Sequence, residues 1–133
     1  GTIDCIATDH APHTLEEKER TFTEAPFGIV GLETALGLSW SALVASGRMT
    51  PMRLIALLSA NPARVLGLPG GRIAPGEPAD LTLIDPKAEW VVDPDRFYSR
   101  GRNTPYAGAQ LLARAAMTIV GGRIVMRDGE VLA

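Results

Sequence analysis

Apolar and polar positions divide the chain into a helical half and a β-rich half. Residues 2–8, Thr-Ile-Asp-Cys-Ile-Ala-Thr, form a short, mostly apolar run. Such runs suit a strand buried on both faces, as in parallel sheets. Residues 9–28 carry little periodicity. Within them, Thr14 and Glu17 have capping-box spacing and predict a brief helical turn over 15–20. From Gly31 to Ala45 the pattern turns helical, with Leu32, Leu36, Trp40, Leu43 and Val44 on one face. Glu33 suits the positive end of that helix and Gly47 supplies its stop. "TPMRLIALLSA" and "NPARVLGL" each open on a cap residue followed by proline, and the second ends on Gly67. They predict two further short helices.

After Gly70-Gly71 the pattern changes to β. A Pro/Gly turn leads to a strand over about 80–85, and "EWVV" at 89–92 reads as another. "MTIV" and "RIVM" flank Gly121-Gly122, a two-residue hairpin turn, and Asp128-Gly129 marks a second turn before Val131-Leu132. The domain division expected is 1–68, a strand, a long loop and helices, then 69–133, a β-rich module. A buried strand followed by helices suits an α/β barrel or an open sheet. One strand cannot satisfy its own backbone N–H and C=O groups, so it needs neighbours on both sides. Strand-like sequence from Ile3 and Gly1 in place of Met together suggest a piece cut from a longer protein.

Composition narrows the function classes. The chain has 133 residues, 46% of them hydrophobic and 21% charged, which fits a globular core rather than disorder. A net charge of −2 without a Lys/Arg block argues against a nucleic-acid or anionic-membrane surface. No apolar stretch approaches a membrane span. Cys5 is the single cysteine, so an internal disulfide is excluded and a reducing cytoplasm fits best.

The candidate chemistry gathers in "TDHAPH", residues 8–13, which holds both histidines of the chain. Asp9 falls at the C-terminal end of the first strand, where α/β barrels carry their active sites. A carboxylate there can ligate zinc or act as a general base, and it can equally cap a turn. His10 and His13 flank Pro12, which opposes a helix that would bring them together. They do not amount to a metal site, because zinc normally takes at least three protein ligands. "APFG" at 25–28 can bring backbone amides close to a ligand, with Gly28 removing an obstructing side chain, or it can be an ordinary turn. "PGGR" at 69–72 lacks the Lys-Ser/Thr of a phosphate loop and reads as the junction between modules. Arg100, Arg102 and Asn103 read as a solvated polar turn, and Trp40 and Trp90 as core anchors.

"TDHAPH", "LEEK" at 15–18, "PFG" at 26–28 and "GLET" at 31–34 together resemble the last barrel strand and following loop of dihydroorotases of the long bacterial type. "NPARVLGL" and the spaced glycines to Ala79-Asp80-Leu81 resemble the amidohydrolase superfamily at large, and "RNTPY" at 102–106 and "TIVGG" at 118–122 again resemble dihydroorotases, so the resemblance covers nearly the whole chain. It implies the C-terminal portion of a (β/α)8 TIM-barrel metal-dependent hydrolase with part of a small β-sandwich. The activity implied is zinc-dependent, reversible cyclisation of N-carbamoyl-L-aspartate to L-dihydroorotate in pyrimidine synthesis.

Carried over position by position, the resemblance makes Asp9 a metal ligand and general acid/base. His13 becomes a contact for the substrate carboxylate, and Phe27 and Gly28 a segment that holds substrate through its backbone. It gives His10 no role. One or two zinc ions are implied, with most ligands outside these residues, so the 133 residues alone are expected to be inactive. The family's Trp near residues 108–112 is replaced here, where Ala109 and Gln110 stand. A homodimer or a complex with aspartate transcarbamoylase is the assembly the resemblance allows. Two alternatives stand beside it: a hydantoinase- or allantoinase-like cyclic amidohydrolase, and a non-catalytic dihydroorotase-like subunit supporting aspartate transcarbamoylase.

Overall fold

A computed structural model describes residues 2–132. Helices come first: α1 (Leu15–Lys18), α2 (Ala35–Ser39), α3 (Pro51–Ile55) and α4 (Asn61–Leu66). A four-stranded antiparallel sheet follows, β1 (Leu81–Val91), β2 (Gln110–Val120), β3 (Arg123–Arg127) and β4 (Glu130–Val131), in the order β1-β2-β3-β4. A 3₁₀ turn (Pro94–Arg96) lies between β1 and β2, opened by the Asp93 side chain accepting from the Asp95 N–H.

Several sequence expectations hold in detail. Thr14 and Glu17 close a reciprocal capping box on α1. Thr50 caps α3, accepting from the Arg53 N–H, with Pro51 in the first turn. Gly47 and Gly67 stop their helices in left-handed conformations, at φ 74° and 64°. Gly121 and Gly122, at φ 54° and 80°, make the β2–β3 turn, and Asp128-Gly129, at 51° and 87°, make the β3–β4 turn. Positive φ at both central residues is what a two-residue turn needs to match the twist of its strands.

Elsewhere the structure departs from the pattern. Residues 2–8 join no ladder among the described residues. They are tied instead to the helices, by the Ile6 N–H to Leu57 O at 2.9 Å and by Asn61 Nδ2 to Asp4 O at 2.8 Å. Asn61 is therefore no N-cap. It is helical, at φ −71° and ψ −46°, and the chain winds without a break from α3 through a π-wound segment (Ala56–Ala60) into α4. Pro62 lacks an N–H and its ring crowds the carbonyl four residues back, and a wider turn before it relieves both. The longer helix likewise passes from α2 into a π-wound segment (Trp40–Ala45), and Leu32 stays outside its buried face, 62% exposed in the preceding turn.

The two strands expected over 80–92 are one strand, β1, with an irregular register between Asp85 and Glu89 that absorbs Pro86. Proline cannot donate to a ladder, so it falls where pairing lapses. β2 begins at Gln110, ahead of its clear β pattern. Ala113 sits within it at φ 66°, fully buried, and its carbonyl accepts from Trp90 Nε1 at 3.0 Å.

Two apolar clusters hold the fold. Trp40, Leu54 and Ala113 pack with Ile6, Leu36, Leu43, Val44 and Ile84, clamping helices onto the sheet. Val30, Val92, Phe97 and Leu111 pack with Leu38, Trp90 and Tyr106. Gly37 lets α2 approach closely, since a Cβ there would lie 2.8 Å from the Trp90 ring. Each fully buried aliphatic side chain contributes about 1.5–3 kcal/mol over an exposed one. Each cluster draws on both the helical and the β-rich half, so the sheet fixes the segment that carries Asp9 and His13.

Candidate functional site

Asp9 ends the segment 2–8 in a left-handed conformation, at φ 47°. Aspartate tolerates this region better than most residues, and such conformations gather at functional sites. Its carboxylate is exposed and makes no hydrogen bond among the described residues. Immediately after it the chain runs parallel to residues 29–31, with a bridge between His10 and Ile29 and the Ala11 N–H donating to Ile29 O at 2.9 Å. His10 Nδ1 accepts from the Gly31 N–H at 3.1 Å, so its hydrogen in the neutral ring lies on Nε2. His10 thereby acquires a structural role, stapling the end of the first segment to the approach of the main helix. Gly31 packs against Thr8, whose carbonyl oxygen would lie 3.1 Å from a Cβ at 31.

His13 is half-buried in the loop. Its Nε2 lies 2.9 Å from Phe27 O, a carbonyl that can only accept, so Nε2 donates. Its Nδ1 faces Glu17 Oε2 at 3.4 Å, a contact that attracts when the ring is protonated. Glu17 is held below the usual carboxylate range, first by the Thr14 N–H and further by His13. Lys18 Nζ donates to Pro26 O at 2.8 Å and Gly28 O at 3.1 Å. The three carbonyls of residues 26–28 are thus occupied internally. The N–H groups of Phe27 and Gly28 make no hydrogen bond among the described residues, and they remain as donors. Gly28 has φ 110°, and a Cβ there would lie 2.4 Å from Ala11 Cβ. Only glycine satisfies both constraints.

Asn103 is the residue that sequence reasoning placed wrongly. It is no part of a solvated face but is 7% exposed, seated against the loop. Its Oδ1 accepts from the His13 N–H at 3.0 Å, and its Nδ2 donates to Ala11 O at 3.0 Å and Gly28 O at 3.3 Å. Its own carbonyl accepts from the Val30 N–H at 3.1 Å. The amide orientation follows from these partners: reversed, it would set NH₂ against N–H and oxygen against two carbonyls. Arg102 turns inward as well, Nη1 donating to Phe97 O at 2.9 Å and to Ser99 O. The only signal in the sequence was the "RNTPY" motif itself, since no local pattern reports a partner ninety residues away. Lys18 was missed too, since its partners, eight and ten residues on, lie in irregular chain that no periodicity reports.

Glu33 ties the helix approach to the β-rich half, with Oε1 accepting from the Ser99 N–H at 2.8 Å and Oε2 buried without a partner among the described residues. Burial raises its carboxyl, yet the hydrogen bonds from Ser99, joined by its own backbone N–H and by His10, together hold it below the ordinary 4.5. A broad groove lined by Glu33, Trp90, Arg96, Tyr98 and Arg114 lies apart from this loop and contains neither Asp9 nor His13.

The donor set bears on metal binding. Asp9 offers one carboxylate without a hydrogen-bond partner among the described residues and fits as a single oxygen ligand. Among the described residues, no three His, Cys, Asp or Glu side chains come together to complete a metal set. No helix of the described residues is long and apolar enough to cross a membrane.

Comparison with known proteins agrees with this architecture. A dihydroorotase of Pelotomaculum thermopropionicum is 58% identical over 128 residues, 96% of this chain and 30% of that protein. A dihydroorotase of Anaeromyxobacter dehalogenans (strain 2CP-C) is 52% identical over 130 residues, 98% of this chain and 30% of that protein. The chain thus spans about 30% of the length of the curated relatives it matches. Among solved structures, the L-hydantoinase of Arthrobacter aurescens superposes with a TM-score of 0.92 at 32% identity, covering 100% of this chain and 31% of that one. The fold is accordingly the α/β portion of an amidohydrolase barrel joined to part of its small antiparallel β module. A sequence model of the amidohydrolase family matches residues 1–125, nearly the whole of the chain, and this chain belongs to that family.

Proposed function

We propose that these residues form the C-terminal part of a dihydroorotase, a zinc-dependent enzyme interconverting N-carbamoyl-L-aspartate and L-dihydroorotate in pyrimidine synthesis. The observation that carries the reading is the loop 9–28, where a free carboxylate, a histidine and two unpaired backbone N–H groups belong to one connected structure. In this reading residues 1–68 supply the end of the barrel and residues 69–133 part of the sandwich. The substrate is an anionic small molecule in the cytoplasm.

Asp9 contributes one oxygen ligand to zinc, the other ligands being supplied outside these residues. Bound there, zinc would polarise the amide carbonyl and acidify a water. Asp9 accepts the proton of the attacking water and delivers it to the amide nitrogen as the C–N bond breaks; ring closure runs the same transfers backwards. A left-handed, fixed backbone suits a group that must shuttle a proton over a short, constant path. His13 binds the substrate carboxylate, its Nε2–H leaving Phe27 O to do so. A hydrogen bond to an ionised carboxylate is stronger than the bond to a neutral carbonyl that it would replace. The free N–H groups of Phe27 and Gly28 hold oxygen on the planar ring, close enough because position 28 has no side chain.

The hydantoinase reading draws support from the superposition on L-hydantoinase, but identity falls to 32% there against 58% and 52% for the dihydroorotases. His13 also gives a carboxylate-bearing substrate a partner that a plain hydantoin ring would not use. The non-catalytic reading, a subunit supporting aspartate transcarbamoylase, leaves the free carboxylate of Asp9 with nothing to do. A homodimer or a complex with aspartate transcarbamoylase is compatible with an active enzyme.

The test is turnover by the full-length protein. Zinc-loaded enzyme should hydrolyse L-dihydroorotate with a kcat/KM at least about a hundred-fold above that for hydantoin. Preference for hydantoin, or no turnover of either by fully loaded protein, would sink the proposal.

A further inference from the structure

We propose that Asn103 is the positioning residue of the substrate loop, setting the geometry of His13 and Gly28 from the β-rich half of the molecule. The inference rests on the reading of His13 and residues 27–28 as substrate contacts and adds to it the element that holds them in place.

Three features single Asn103 out. It is buried, and all its side-chain hydrogen bonds go to the loop rather than to its own segment. Its amide joins two stretches of the loop: Ala11 and the backbone of His13 on one side, and Gly28 on the other. It is also brought there by a close backbone approach. A Cβ at Gly101 would lie 2.8 Å from Pro12 Cβ and 3.0 Å from Val30 Cγ1, so the arm 101–103 fits against the loop only because position 101 is glycine. Lys18 shares Gly28 O but reaches neither His13 nor Ala11. Asn103 ties the two sides of the candidate site together from the β-rich half, beside the direct contacts of Ala11 with Ile29 and of His13 with Phe27.

A ligand held by His13 on one side and by the N–H groups of residues 27–28 on the other needs those sides at a fixed separation. Misplacement by about 1 Å can cost as much as a hundred-fold in rate. The bond from the Val30 N–H to the Asn103 carbonyl is backbone, so it survives side-chain substitution and keeps the arm docked. Asn103→Ala removes all three side-chain bonds. Asn103→Asp keeps an acceptor for the His13 N–H but sets a carboxylate against two carbonyls.

The experiment uses the full-length zinc-loaded protein, with His13→Ala as comparator. Both Asn103 variants should raise KM for dihydroorotate by about ten-fold or more, with a smaller change in kcat. Amide exchange at Ala11, His13, Val30 and Gly31 should quicken while exchange in β1–β3 stays unchanged. A KM left at the wild-type value in Asn103→Ala, while His13→Ala raises it, would overturn the inference and leave the reading of His13 standing. Should His13→Ala itself leave KM unchanged, it is the substrate reading that fails. Exchange in Asn103→Ala then decides the inference alone: faster loop exchange upholds positioning, and unchanged exchange overturns it. A uniform rise in exchange across β1–β3 would make Asn103 merely structural and overturn the inference as well.

Discussion

The loop over residues 9–31 and the hairpin joining β2 to β3 both depend on glycines at positive φ, yet they are specified in different ways. The shape of the hairpin is set locally. Gly121 and Gly122 fix the turn by their own φ values, with open space where a Cβ would stand, and their N–H groups add bonds to Asp80 Oδ1 at 2.6 Å and Ala79 O at 3.1 Å without defining it. The loop is not local. Its shape depends on Lys18 reaching Pro26 and Gly28, His13 reaching Phe27, and Asn103 reaching across ninety residues. A local turn forms wherever its residues occur. A loop held by distant side chains forms only when the rest of the fold has delivered them, and this is how a site acquires a fixed geometry on irregular backbone.

Substitutions can break this contrast, and the largest effect is expected at Asp9. On the proposed reading, Asp9→Ala in the full-length protein should lower kcat by about a thousand-fold or more, measured on dihydroorotate, because a metal ligand and the proton carrier would be lost together. His13→Ala should raise KM by about ten- to a hundred-fold with a smaller change in kcat, as the loss of one proposed charge-assisted contact would require. Gly28→Ala and Gly122→Ala then set the two regions side by side. The first meets both the φ constraint and Ala11, and should lower stability by about 3 kcal/mol and raise KM. The second meets only the φ constraint, and should cost about 1 kcal/mol in thermal unfolding with KM unchanged. Equal losses at the two positions would erase the distinction between a crowded functional loop and an open turn.

The smallest effect concerns pH. Glu33 has its carboxyl held below 4.5 in the folded protein, so its contribution to stability is present above that value. That contribution fades as pH falls from about 4.5 through the lower folded value. Glu33→Gln should therefore lose stability at neutral pH and show a shallower acid limb, read from thermal melts between pH 7 and pH 3.

What could be read from the sequence follows the same division. The capping box of Thr14 and Glu17, the stops at Gly47 and Gly67 and the two β-turns are set by residues within a few positions of each other. All were legible. Asn61 was misread because its cap-and-proline pattern is local, while its actual partner, Asp4 O, is not. The segment 2–8 reads as a strand from its side chains, but a strand is defined by its neighbours, and here its hydrogen bonds go to Leu57 and Asn61. At the candidate site, Asp9, His13, Phe27 and Gly28 were identified by motif resemblance, because chemistry and spacing are concentrated in one stretch. Asn103 sat in a motif of the same resemblance, yet its polarity suggested solvent. Its burial is visible only once three backbone groups are found around it.

The most direct measurement is a crystal structure of the full-length zinc-loaded protein with L-dihydroorotate bound. The substrate carboxylate should lie within hydrogen-bond distance of the His13 ring, a ring oxygen should face the N–H groups of Phe27 and Gly28, and Asp9 should sit on the metal beside the scissile amide. A ligand seated away from residues 27–28, with His13 Nε2 still on Phe27 O and Asp9 turned from the metal, would contradict the proposed site.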